Sequence, residues 1–85
     1  MIAAPGVGQP QNCAPRDSVL TRLSNDYGET RRSVAMGQNE TVVEVFASDT
    51  TGSWSITVTL PNGLTCLVAS GQAYEAVQTA PKPNV

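Results

Sequence analysis

Residues 59–70, TLPNGLTCLVAS, place the turn signal Pro61-Asn62-Gly63 between two β-type runs, and Cys66 follows in the second run. The turn type sets the register of the two strands, and the register decides which face each side chain joins. A two-residue turn at Asn62-Gly63 would point Cys66 away from the core. A type I turn with Pro61 and Asn62 at its centre and Gly63 as a left-handed bulge residue would point it inward.

The bulged turn is favoured because proline suits the first central position of a type I turn and its ring cannot donate to a ladder. In this register Cys66 lies beneath a helix, where Cys13 at the start of that helix could reach it. The predicted pairs are Leu60 with Leu64, Val58 with Cys66, and Ile56 with Val68.

The only helix candidate is CAPRDSVLTRLSNDYGE, residues 13–29. Pro15 suits the first helical position, Asp17 places negative charge in the first turn, and Gly28 is a natural stop. We therefore predict a helix over residues 15–27. Its apolar face consists of Val19, Leu20, Leu23 and Tyr27.

Strand patterns fill most of the remaining chain, at residues 34–36, 41–48, 53–60 and 64–70. A four-residue loop at 49–52 would pair Ala47 with Trp54 and place Trp54 under the helix. The predicted fold is α+β, with one N-terminal helix packed on a four-stranded antiparallel meander sheet and pinned to it by a disulfide. We expect one domain over residues 13–75, with disorder at 1–12 and 76–85.

The two cysteines, Cys13 and Cys66, are too few for a cysteine-only zinc site, and the chain has no histidine to complete one. A disulfide between them would close a long loop and contribute about 4 kcal/mol in the chain-entropy model. Such a bond favours an oxidising compartment, periplasmic or secreted. The alternative is two unpaired buried thiols in a cytosolic protein.

The overall charge argues against several functions. A net charge of -2 and a pI near 4.7 do not suit a nucleic-acid surface. No apolar run is long enough to span a membrane, and the first residues, MIAAPGVGQPQN, resemble the start of a mature protein rather than an intact signal peptide. With no histidine to act as a base, we predict no enzyme activity, no catalytic residues and no cofactor or metal.

The register also predicts a second sheet face that the helix cannot cover. That face carries more apolar surface than a solvated face needs, and we expect a protein partner or a second copy to bind it or an edge strand. The alternative is that the chain after Gly71 folds back and places Tyr74 against Phe46. The candidate interaction residues are Val42, Glu44, Phe46, Thr57 and Leu67.

Scattered identities from Cys13 to Glu75 carry a family resemblance: Cys13, Tyr27-Gly28-Glu29, Glu44-Val45-Phe46-Ala47-Ser48, Gly52, Trp54, Pro61, Gly63, Cys66 and Gly71. With them the chain resembles a family of short exported alphaproteobacterial proteins of unknown function. The resemblance implies a periplasmic location and a paired-cysteine scaffold, and it implies no activity.

These observations predict a small exported protein-interaction module that is stabilised by a disulfide. The alternative is a periplasmic protein that binds a small ligand.

Overall fold

The structure, a computed structural model, describes residues 12–77. The expectation of disorder at residues 1–12 and 76–85 falls almost wholly outside them. The elements in chain order are β1 (Cys13–Pro15), α1 (Arg16–Tyr27), β2 (Thr30–Met36), a 3₁₀ turn (Gln38–Glu40), β3 (Val42–Ala47), β4 (Trp54–Thr59) and β5 (Leu64–Gly71).

The predicted α+β class and antiparallel sheet are confirmed, but the sheet has five strands rather than four, in the order β1-β5-β4-β3-β2. The additional strand, β1, is three residues long and pairs with β5 immediately before the helix begins. A strand this short has no readable alternation, so the sequence pattern gave no sign of it. Strands β2 to β5 form the predicted meander.

The helix crosses one face of this sheet from end to end. Its first backbone N–H, on Arg16, donates to the Gly63 carbonyl beside the β4–β5 turn, and its last turn lies beside the β3–β4 loop. Twelve residues of helix are about 18 Å long, which matches a six-residue strand at about 20 Å. The helix ends as predicted at Gly28, with φ +64°. Pro15 precedes the helix instead of opening it.

The predicted hairpin registers are largely confirmed. Val58 lies opposite Cys66, Leu60 N–H donates to Leu64 O at 2.8 Å, and Gly63 has φ +91°. The β3–β4 register is also as predicted, with Ala47 opposite Trp54. One difference is a bulge at residue 68, which brings Ala69 rather than Val68 opposite Ile56.

The helix covers the opposite face from the one predicted. Phe46 and Thr57 are buried beneath it, whereas their strand neighbours Val45 and Ile56 are only partly buried. Because side chains alternate along a strand, Cys66 and Trp54 also lie on the face away from the helix. The predictions that Cys66 and Trp54 lie beneath the helix are therefore wrong.

The interior between helix and sheet is mostly polar. Among residues 12–77 only three apolar residues are buried, namely Leu23, Phe46 and Ala47, and Ala47 lies opposite Trp54 on the other face. The buried polar residues are more numerous: Glu29, Glu44, Ser48, Ser53, Ser55, Thr57, Thr59 and Thr65. Such a layer removes little apolar surface from water, so it supplies little of the usual driving force for folding.

Within the described range, no helix has the length and apolar character needed to cross a membrane.

Candidate functional site: two sheet faces and a groove

The covered face is organised around the carboxylate of Glu44, which is 1 % exposed. Arg16 at the start of α1 donates to it at 2.6 Å, and Arg31 on β2 donates at 3.1 Å. Burial alone would raise the pKa of Glu44, but the hydrogen bonds and charges of Arg16 and Arg31 outweigh burial and lower it. The cluster ties the helix to two strands, which gives it a structural role.

The predicted interaction residues lie on this covered face. Glu44, Phe46 and Thr57 are at most 4 % exposed, while Val42 and Leu67 are partly exposed at its margins. Glu44, Phe46 and Thr57 are therefore not part of an open surface, because they are buried on the face that the helix covers.

The opposite side of the sheet is the open face, on which no helix of the described chain packs. It is formed by nine partly exposed residues without charge, namely Val43, Val45, Trp54, Ile56, Val58, Leu60, Leu64, Cys66 and Ala69. Three strands with six residues each give it a plan area of about 300 Å². Patches of that size on a monomer are often functional.

The segment that follows β5 returns to the β3–β4 loop. Tyr74 N–H donates to Gly52 O at 2.9 Å, and the Arg32 guanidinium lies 5.7 Å from the Tyr74 ring centre. Arg32 also donates to Ala47 O and pairs with Asp49. These contacts form a polar rim beside a surface that is otherwise apolar.

The predicted disulfide between Cys13 and Cys66 is confirmed, and it joins directly opposed residues of β1 and β5. It lies on the open face, so it does not pin the helix to the sheet directly. Instead it fastens the short edge strand from which the helix departs. The helix is held at that end through its chain connection to β1.

A groove of about 480 Å³ runs between α1 and the sheet on the covered side. Its walls include Val19, Leu23 and Tyr27 from the helix, and Glu29, Ser55 and Leu67 from the sheet side. A volume in this range is typical of small-ligand sites.

Glu29 is brought to this groove by the end of the helix. Gly28 N–H donates to Ser24 O, the 5→1 bond of a left-handed (αL) helix stop, and Glu29 N–H donates to Leu23 O. The turn buries Glu29, which is 3 % exposed, and its Oε2 accepts a hydrogen bond from Ser53 at 2.8 Å. Its Oε1 is buried and accepts no hydrogen bond from the described residues.

Glu29 was not predicted as a site residue, because an acidic residue just after a helix usually lies exposed at its end. The signal was present in Tyr27-Gly28-Glu29, since the residue after a left-handed glycine stop turns back toward the helix.

Comparison of the chain with protein-family models, with curated proteins and with solved structures finds no match.

Proposed function

We propose that this chain is a small exported interaction module that binds a second copy of itself through the open face and has no catalytic role. The observation that carries the proposal is the placement of apolar residues. The strand residues best suited to a core, such as Val45, Ile56 and Val58, are partly exposed, while threonine, serine and glutamate are buried.

The energetics favour a partner for this face. A domain of this size is marginally stable even with a full apolar core, and oligomerisation is one of the usual remedies. Two sheets can pack face to face at about 10 Å when their inner residues interdigitate. Pairing the open faces would supply the apolar core that each chain lacks on its own.

A second copy suits this face better than a charged partner does. The nine residues carry no charge, so two copies related by a two-fold axis meet without like-charge repulsion. The disulfide lies within the same surface and would be covered by the partner. The export part of the proposal is supported by that disulfide, which persists in oxidising compartments.

The test is the oligomeric state of two matched variants, measured by sedimentation equilibrium across a wide concentration range. Val45→Lys places a charge on the open face, whereas Val34→Lys places one at a position that is 53 % exposed on the helix side of the sheet. We expect the wild type and Val34→Lys to dimerise and Val45→Lys to be a monomer with an unchanged circular dichroism spectrum. A wild-type protein that is monomeric at all concentrations, or a dimeric Val45→Lys, would contradict self-pairing.

A further inference from the structure

The groove beside α1 has the composition of a binding site as well as its volume. Its lining combines the apolar residues Val19 and Leu23 of the helix and Leu67 of the sheet with the polar residues Ser55 and Glu29. Ser55 is 4 % exposed and lies in the lining of the groove. A largely apolar pocket with a few convergent polar groups is the usual form of a small-molecule site.

The second observation is the incomplete hydrogen bonding of Glu29. Ser53 satisfies one carboxylate oxygen, and the other is buried without a donor among the described side chains. An enclosed carboxylate oxygen without a donor is costly, because it has lost water and gained nothing in return. Glu44, by comparison, receives two arginines, so the fold does supply donors to a buried carboxylate elsewhere.

We propose that the groove binds a small organic cation, a primary ammonium group carried on an apolar body, with Glu29 as its counter-ion. The ammonium group supplies the donors that Oε1 lacks, and a charged pair of this kind gives a stronger hydrogen bond than a neutral one. The terminal torsion of a glutamate is broad, so its carboxylate can turn toward a donor in the groove.

The rest of the groove fits the same ligand class. Val19, Leu23 and Leu67 would contact the apolar body, and the hydroxyl of Ser55 can accept a second hydrogen bond. Tyr27 is 51 % exposed at the groove and offers an aromatic ring to a cation. The groove is lined mainly by α1 and the helix side of the sheet, and Cys13, Trp54 and Gly71 also line it. Self-pairing is not required for the contacts of Glu29.

The test is titration of the protein with n-alkylammonium ions from propyl to octyl, followed by amide chemical shifts. Alcohols of the same chain length are the matched controls, since they retain the apolar body and lose the charge. We expect saturable shifts at residues lining the groove, and binding at least tenfold weaker for the alcohols. Equal affinity for an amine and its alcohol would overturn the proposal.

Two variants assign the binding to the groove. Glu29→Gln should weaken ammonium binding at least tenfold and leave alcohol binding unchanged. Ser70→Trp fills the groove from an exposed strand position without altering Glu29, and it should abolish binding, whereas Ser24→Trp on the exposed helix surface should not. Ammonium binding that survives both Glu29→Gln and Ser70→Trp would place the ligand elsewhere and end the proposal.

Discussion

Arg16 Nη2 lies 2.6 Å from Glu44 Oε2, which joins the first residue of the helix to the middle of β3 across 28 positions of sequence. The two partners differ in their access to water, since the side chain of Glu44 is 1 % exposed and that of Arg16 is 38 % exposed. The side chain of Arg31, the other partner of Glu44, is 54 % exposed. Removing the buried member and removing the exposed members therefore have different consequences.

We predict that Arg16→Ala combined with Arg31→Ala destabilises the protein more than Glu44→Gln does. The double variant leaves a buried carboxylate without a counter-ion, which costs about 3–5 kcal/mol. Glu44→Gln leaves two arginines that can turn to water, so we expect a loss of about 1–2 kcal/mol. Urea unfolding of both variants measures the difference, and equal losses would show that Glu44 is not held by these arginines.

The lowered pKa of Glu44 predicts how stability depends on pH. Because the folded-state pKa lies below the ordinary value of 4.5, the stabilisation is fully present above about pH 4.5 and is lost as pH falls through the folded-state pKa. Glu44→Gln removes this titration, so its stability should decline less steeply under acid. Urea unfolding midpoints of the wild type and of Glu44→Gln at a series of acid pH values test this. An equal fall in midpoint with pH for both proteins would contradict it.

The register was predictable from the sequence, and the covered face was not. Turn chemistry at Pro61 and Gly63 predicted the pairing of β4 and β5 near the turn, because proline fixes φ and glycine tolerates the positive φ of the bulge position. The face covered by α1 depends on the path of the chain, since β1 and β2 run in the same direction at opposite edges of the sheet. Connections between parallel strands of one sheet are almost always right-handed, and that handedness selects the face regardless of hydropathy.

Because the helix covers the face that carries Phe46, this residue is expected to stabilise the fold rather than to bind a partner. It is 4 % exposed, one of the few apolar side chains in the interior, so Phe46→Ser should cost at least 3–5 kcal/mol and could leave the chain unfolded. Val34→Ser, at a position 53 % exposed, should change stability by less than about 1 kcal/mol. Thermal unfolding of the pair measures this, and a stable, well-folded Phe46→Ser would show that the helix does not pack on this face.

The candidate groove was harder to foresee than the strands. Glu29 is buried because Gly28 turns the chain back at the helix end, and its partner Ser53 comes from a loop 24 positions away. A single sequence shows that Gly28 can stop a helix, but it does not show which element packs against the next residue. The apolar alternation of the open face was predictable from the sequence, but its residues were predicted to face the helix.

The disulfide should contribute stability through the edge strand. We expect Cys13→Ser combined with Cys66→Ser to lower the free energy of unfolding by about 4 kcal/mol, since the bond closes a loop of 53 positions. β1 itself is only three residues long, so it should exchange its amide hydrogens first when the bond is absent. Thiol alkylation of the native protein without reductant should add no label, and labelling of both cysteines would show that the bond does not form.

The last prediction concerns Trp54 and Gly71, which lie opposite each other on β4 and β5. The Trp54 ring lies over Gly71 and its Nε1 donates to Gln72 O at 3.0 Å. A Cβ added at Gly71 would come within 2.7 Å of the ring, so Gly71→Ala should displace the indole and break that hydrogen bond.

We expect Gly71→Ala to destabilise the wild type by about 1–3 kcal/mol, the usual cost of overpacking. In a Trp54→Ala background the clash is absent, and the same substitution should be neutral or slightly stabilising, because alanine suits a strand better than glycine does. A double-mutant cycle in urea measures this coupling. If Gly71→Ala costs the same in both backgrounds, the indole does not rest on Gly71.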